Sequence, residues 1–582
     1  MNKIKNFYEL ITLIGSNKYY ILFLIILMFL STLLDLLSLS LIFGFIQTLF
    51  NLDNSSSDTF FLNLDFFNEF KREDLLIYFT IGLISLSFLK LLSSIYIKWL
   101  INLFAFKQYA ILQVKLMSAY QNMSYTDYIL RSSTEYIRNI REVCSHCLSK
   151  ISYSLRALTE LIFLFVIILF LIFFNFKVLI SIALTILPII LFYEIILKPI
   201  NIRYGKKKID SEAHVLKNIY SGILGLKEIR VLSKENFFIK NISSYANNVY
   251  EAEKRSLLID ESPRHVYEFF LISLALIISL IFVKNNQDFS TFLPTIGVFL
   301  MIGLRLLPSI SVITTSLNRI GFVQYAVGIV TKDLKKYDIS KKNIELNNSQ
   351  IIEKIRSIKF ENISFKYNNS DNIIFKNINF SIKQNSCIGI MGESGVGKTT
   401  FIDILLGLLS PYEGSIIVND KKKVDLSSDF LGEIAYLPQE PIILDEDIKT
   451  NITLTTDKSE INLKKLNESI KQANLHKVID ELPQNIDTKI GNLGVRLSGG
   501  QNKRLALARA FYHGKNVLIL DEATSSLDNK SEDYIAEQIK DLKNRYTIII
   551  ISHHFNILKY CDDIYEIRDK KINPLNKNKE NK

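Results

Sequence analysis

The stretch Gly392-Glu-Ser-Gly-Val-Gly-Lys-Thr399 combines residue types and spacing suited to holding phosphate. Its glycines let successive main-chain N–H groups curl around phosphate oxygens at a helix N-terminus, while the Lys398 side chain reaches terminal phosphates and the Thr399 hydroxyl can ligand Mg²⁺. The context agrees on both sides: an apolar, strand-like run from Cys387 to Met391 precedes the loop, and a helical run from Thr400 to Leu408 follows. Further on, Val517-Leu-Ile-Leu520 forms a second apolar run ending in Asp521 and Glu522. Asp521 is suited to hold the metal and Glu522 to polarise an attacking water as general base. Two acids ending an apolar run most often mark an ordinary strand end, but downstream of a phosphate loop the pairing reads as catalytic.

These groups need a parallel sheet behind them. From about Ile351 the sequence alternates short β-rich runs, such as Ile358 to Phe365 and Ser386 to Met391, with helical stretches, the grammar of an α/β domain. Between the two acidic and glycine-rich motifs lies Leu497-Ser-Gly-Gly-Gln501, and with it residues 351–572 resemble the ATPase domain of ABC transporters. The resemblance implies ATP and Mg²⁺ as cofactors, with Gly392, Glu393, Ser394, Gly395, Gly397, Lys398, Thr399 and Thr400 around the phosphates. It implies that Ser498, Gly499, Gly500 and Gln501 serve the nucleotide of an opposite subunit, Ser498 and Gly500 capping its γ-phosphate at a helix N-terminus. Gln439, in Tyr436-Leu-Pro-Gln, matches the residue that touches metal and water; His553 matches the histidine on the γ-phosphate; Ser525-Ser-Leu-Asp528 matches the D-loop. Tyr367 is placed like the aromatic that stacks on adenine, with Phe365 nearby as the core alternative. Two positions depart from the family pattern: His554 where Arg is common, and Asn492 where an acid often follows the glycine. One copy of each element implies a homodimer with two equivalent ATP sites.

The rest of the chain is of another kind. Hydrophobic residues make up 48% of 582 positions and charged ones 22%, which indicates a membrane part joined to a soluble part. Apolar runs at roughly 20–48, 75–100, 155–175, 177–200, 266–284 and 292–318 are each long enough to span a hydrocarbon core. Six spans leave both ends cytosolic. The polar, Lys/Arg-rich segments 101–154 and 201–265 read as cytosolic extensions of the spans, similar to the long intracellular loops of ABC exporters, with Gly222 to Ile229 near the second tip. The expected organisation is therefore a six-helix membrane bundle of the ABC exporter type over 1–330, a linker over 331–350, an α/β P-loop ABC ATPase domain over 351–572 and a disordered tail over 573–582. The net charge of +11 follows the cytosolic loops and the soluble half, a positive-inside pattern rather than a nucleic-acid surface, so no nucleic-acid partner is expected. Four scattered cysteines make no disulfide framework, and Cys144, His146 and Cys147 lack a second ligand pair for structural zinc. Lys3, Lys5 and Lys18 precede an apolar run too long for a signal peptide, and no small-residue cleavage site follows.

Charges inside membrane spans are costly and mark cavities or partners. Asp35, Lys90, Arg264 and Arg305 are such charges. Lys90 and Arg264 can instead snorkel to the interfaces while Arg305 pairs with Asp35. The surroundings of these residues, with Pro263-Arg264 at the entry to the fifth span and Arg305-Leu-Leu-Pro-Ser in the sixth, resemble those of the bacterial flippases of lipid-linked oligosaccharides used in protein N-glycosylation. That resemblance implies a substrate path lined by Lys90, Arg264 and Arg305 for a pyrophosphate head group and its glycan, with the polyprenyl tail in membrane lipid and the protein in a bacterial inner membrane. Lys at position 90 keeps charge but loses bidentate phosphate geometry. The external segment Phe60 to Phe70 reads as a small helix engaging the tail, or as a loop cap. An exporter of drugs, peptides or other lipids remains the alternative, with another amphipathic molecule in place of the lipid-linked glycan.

Overall fold

The computed structural model describes residues 18–50, 72–174, 180, 187–284, 289–338, 354–367, 370–423, 433–491, 494–522, 539–540, 542–543, 545–553 and 555–575. The expectations for Phe60 to Phe70, for Asn492, for Ser525 to Asp528 and for His554 lie outside the described residues. Two compact units divide the chain: Met1–Met123 with Tyr128–Ser340, and Ser124–Asp127 with Lys341–Lys582.

The first unit is helical. Its long elements are α1 (Lys18–Phe50), α2 (Arg72–Gln121), α3 (Cys144–Phe174), α4 (Lys198–Leu224), α5 (Glu235–Lys284), α6 (Phe289–Phe322) and α7 (Gln324–Asp338). α2 runs unbroken for 50 residues: it holds no Pro, and its single glycine, Gly82, sits in an otherwise helix-compatible apolar stretch. α5 is as long and takes Pro263 inside it, so the Pro-Arg pair is not a helix entry: flanking turns carry the helix past the one missing N–H. By length and composition, three helices among the described residues can cross a membrane, Tyr19–Ile42, Glu73–Gln121 and Ser133–Ile172, with a fourth if the bent pair Arg305–Phe322 and Gln324–Tyr337 forms one span. All six expected spans overlap helical residues, although each except 75–100 includes positions whose backbone or side chains lie outside the description. α4 and α6 approach so closely that a Cβ on Gly205 would lie 1.9 Å from the Phe322 carbonyl oxygen.

The expected linker over 331–350 is corrected at its start. α7 continues to Asp338, and Val330, Leu334 and Tyr337 are buried on one face of it. The charged run Lys332, Lys335 and Lys336 hides this amphipathic face in the sequence. Buried Asp333 anchors it, accepting from Arg131 Nη1 at 2.8 Å and from the Tyr120 hydroxyl at 2.7 Å.

The second unit is α/β. An antiparallel sheet in the order β2-β1-β4-β5 is built from β1 (Ser357–Lys366), β2 (Ile373–Lys383), β4 (Glu413–Val418) and β5 (Lys421–Lys423). A second sheet has the order β10-β9-β3-β8-β7-β6, from β3 (Cys387–Met391), β6 (Ile434–Leu437), β7 (Val517–Asp521), β8 (Thr547–Ile551), β9 (Asp563–Arg568) and β10 (Lys571–Pro574). Its strands pair in parallel except β10, which pairs antiparallel with β9. The expected disordered tail over 573–582 is thus corrected at 573–574, since an edge strand tolerates Pro574. Two helices matter for the site, α8 (Lys398–Leu405) and α9 (Gly499–Tyr512). Phe401 of α8 packs 5.7 Å from the Phe360 ring and 5.3 Å from the Phe380 ring, fastening the helix after the phosphate loop to the antiparallel sheet.

Candidate functional site

In an open parallel sheet, ligands gather at the carboxyl ends of the strands. The expected residues follow that rule. The glycine-rich loop leaves β3, His553 follows β8, Asp521 ends β7 with Glu522 beyond it, and Gln439 follows β6. Because β3, β8, β7 and β6 are consecutive neighbours, strand pairing itself gathers residues spread over more than 150 sequence positions into one row.

The loop has the backbone a phosphate cradle requires. Gly395 (φ +80°) and Gly397 (φ +108°) adopt conformations that disfavour a Cβ, and at Gly397 one would lie 2.9 Å from Ile374. Gly397 caps α8, so the N–H groups of its first turn point at the loop. Lys398 Nζ donates to the Gly392 carbonyl at 3.0 Å, lies 3.7 Å from Glu522 Oε1 and contacts the His553 ring. His553 Nε2 is 2.9 Å from the same Glu522 oxygen. Burial pushes the Lys398 pKa down, opposed by the Glu522 carboxylate. Burial raises the Asp521 pKa, opposed by the hydrogen bond that Tyr436 donates to Oδ2 at 3.0 Å. Hard oxygen donors from Thr399, Asp521 and Gln439 suit Mg²⁺, and the cationic, N–H-rich loop suits a triphosphate, so the residues present fit both groups.

Tyr367 lies half-buried beside Phe365, and its hydroxyl is 3.0 Å from Thr400 Oγ1, which ties the expected adenine-stacking residue to the helix of the phosphate loop. Ser498 is the N-cap of α9: its hydroxyl accepts from the Gln501 N–H at 3.3 Å, and its own N–H donates to Gln501 Oε1 at 2.7 Å. Gln501 therefore spends its side chain on the capping box, while Ser498 and Gly499 stay exposed at the positive end of a 14-residue helix. Three residues near the site had no role assigned from the sequence. Tyr436 grips Asp521, buried Asp403 has its pKa pushed up to about 6 by burial and Asp521, and Lys503 reaches Glu522. Only Tyr436, beside the glutamine motif on β6, had a local signal.

In the helical unit, Asp35 of α1 is nearly buried and meets two cations. Lys90 Nζ of α2 is 2.7 Å from Oδ1, and Arg305 of α6 pairs with Oδ2 while its guanidinium lies 4.9 Å from the Phe163 ring centroid. Arg264 does not join them. It is exposed and pairs with Glu268 one turn on, at 3.2 Å. Cys144 and Cys147 are buried, His146 pairs with Glu212, and no group of three metal-binding side chains occurs among the described residues.

Residues 375–525 match the family model "ABC transporter". An export ATP-binding/permease homologue of Rickettsia bellii is 37% identical over 230 residues, 39% of this chain and 40% of that protein. The ATP-dependent lipid A-core flippase of Ralstonia nicotianae is 34% identical over 209 residues, 36% of this chain and 35% of that protein. The chain thus spans about two-fifths of the length of the curated relatives it matches. The solved structure of a bacterial Atm1-family ABC exporter with ATP bound superposes with a TM-score of 0.74 at 17% identity, covering 95% of each chain. The chain therefore has the Atm1-family ABC exporter fold, a helical N-terminal part followed by an ABC ATPase domain.

Proposed function

We propose that this chain is half of an ATP-driven exporter, working as a homodimer in a bacterial inner membrane with its ATPase domains in the cytosol, and that it flips a polyprenyl-pyrophosphate-linked oligosaccharide. The observation that carries the ATPase reading is the row of Lys398, His553, Glu522 and Asp521 at the carboxyl ends of adjacent parallel strands. Lys398 and the loop N–H groups take up phosphate charge, and Thr399, Asp521 and Gln439 would hold Mg²⁺, which when bound would neutralise phosphate charge. Glu522 accepts the proton of the attacking water while His553, touching the same carboxylate, orients it toward the γ-phosphate. Ser498 and Gly500 complete the nucleotide site of the other subunit, which makes the dimer the active unit.

The substrate reading rests on the charge cluster of the first unit. Two cations share one carboxylate, so Lys90 and Arg305 keep a net positive charge for an anionic head group. The relative named a lipid A-core flippase supports an amphipathic lipid substrate. A second reading, export of drugs or peptides, is favoured by the pairing of Arg264 with Glu268, which removes one cation from the path, and by the relative named multidrug resistance protein 1 of Entamoeba histolytica. The test compares stimulation of ATP hydrolysis and transport in proteoliposomes by polyprenyl-pyrophosphate glycans and by hydrophobic drugs. Stimulation and flipping by the glycans alone is expected. Unchanged flipping in the Lys90→Gln, Arg264→Gln, Arg305→Gln triple variant overturns the cationic path and makes the drug or peptide exporter the better reading.

A further inference from the structure

Lys503 lies five residues beyond the N-cap Ser498 on α9, at a position only 6% exposed. Its buried neighbours on that helix, Leu505, Ala506, Ala508 and Phe511, are apolar. A buried ammonium is costly unless it is paired and hydrogen-bonded. Here Nζ donates to the main-chain carbonyl of Glu522 at 3.2 Å; burial pushes the lysine pKa down, opposed in part by the negative charge of Glu522.

Glu522 itself has φ +45°, a left-handed backbone that is strained for a non-glycine residue and persists only where neighbours hold it. Its N–H is pinned by the Ile551 carbonyl of β8 at 2.9 Å. Its carbonyl is pinned by Lys503. The two bonds fix both sides of the residue and with them the direction in which its carboxylate leaves the sheet.

We propose that Lys503 is a positioning residue for the general base: it holds the Glu522 main chain in its left-handed conformation and so aims the carboxylate at the attacking water. The proposal rests on the reading of Glu522 as the base. It has an unusual topological consequence. α9 begins with the signature residues, which serve the nucleotide of the other subunit, whereas Glu522 serves the nucleotide on the chain's own Lys398. A defect at Lys503 must therefore follow the chain's own site although the residue sits on the helix of the opposite one.

The test uses full-length dimers. Lys503→Met keeps an unbranched apolar side chain and loses the donor. It is expected to lower kcat on the order of 10- to 100-fold, as small misplacements of catalytic groups do, with ATP affinity and Tm unchanged or Tm raised. Lys503→Gln, which restores an N–H donor without charge, recovers part of that loss. The decisive arm uses mixed dimers in which one chain carries Lys398→Ala, leaving a single intact phosphate loop. Placing Lys503→Met on the chain with intact Lys398 slows hydrolysis. Placing it on the Lys398→Ala chain leaves the rate of the single-site dimer. The reverse pattern means that Lys503 acts through the signature motif, and equal loss in both means that it only supports the fold; either overturns the proposal, as does wild-type kcat in Lys503→Met. Absence of hydrolysis by the wild-type dimer instead overturns the ATPase reading beneath it.

Discussion

Replacing Asp35 with Asn removes the carboxylate that pairs with both Lys90 and Arg305, and the asymmetry of that cluster makes the outcome specific. At the 2.7 Å separation of Lys90 and Asp35, the Coulomb attraction is about 6 kcal/mol for an effective dielectric constant of about 20. Desolvation offsets much of it, and removing one partner of a buried pair costs about 3–5 kcal/mol because the other charge is left uncompensated. Asp35→Asn strands two cations, each about a third exposed, so about 3 kcal/mol is expected. Arg305→Gln leaves the Lys90–Asp35 pair intact and should cost about 1 kcal/mol, the scale of one hydrogen bond. Combining Asp35→Asn with Arg305→Gln and Lys90→Gln should recover much of the Asp35→Asn loss, since no buried charge remains. The assay is thermal unfolding of the purified protein in one detergent, followed by ATP hydrolysis of the same preparations. If Arg305→Gln proves as damaging as Asp35→Asn, Arg305 is the sole partner that matters. If Asp35→Asn is neutral, the triad is not an energetic unit.

Three further outcomes follow from the ATPase domain and the helical unit. Glu522→Gln should keep ATP binding but lower turnover on the order of 10²–10⁴-fold, and near-normal hydrolysis by that variant removes Glu522 from the base role. A Ser498→Arg chain paired with a Lys398→Ala chain should retain one working site, because both lesions fall in the same composite site; loss of all activity would show that the signature acts on its own chain's nucleotide. Asp260, buried midway along α5, has its pKa raised to about 7, chiefly by burial and further by Glu253 and Glu261, against the Arg319 guanidinium. Its folded-state pKa lies above the unfolded one, so the stability it contributes is present below about pH 4 and is lost as pH rises toward 7. Wild type should therefore lose ground to Asp260→Asn between those limits, by at most on the order of 4 kcal/mol, and no further above them. A Tm difference that does not change with pH would refute this.

The phosphate loop, the acids after β7 and the signature were legible because each is a short run whose chemistry and local structure coincide. The parallel sheet then assembled them without further information: once β3, β8 and β7 pair, His553 must fall beside Glu522. What the sequence hid were pairings that depend on packing. Arg305 and Asp35 are 270 positions apart, and nothing local distinguishes a salt bridge from two independent cavity charges. Asp403 and Lys503 looked like ordinary helical residues because their significance comes from Asp521 and Glu522 across the fold. The end of α7, residues 331–338, reads as linker in the sequence because its lysines mask the buried stripe through Leu334 and Tyr337.

Charge balance also bears on the substrate. Two cations against one carboxylate leave the cluster with one positive charge per subunit, and Arg264 adds none while Glu268 neutralises it. In a homodimer the two clusters together match the charge of a pyrophosphate esterified at both ends, which carries about one negative charge per phosphate. A neutral drug would find these charges a desolvation cost, and Lys90→Gln, which makes each cluster neutral, would ease its passage. For a pyrophosphate lipid the same change removes the attraction. Lys90→Gln should therefore slow glycan-lipid flipping on the order of tenfold or more, the equivalent of one charge-assisted hydrogen bond, while Glu268→Gln, which frees Arg264, should not slow it. Transport measured in matched proteoliposomes decides between them: faster flipping in Lys90→Gln would mean that the cluster repels rather than recruits its substrate, and the pyrophosphate assignment would fail.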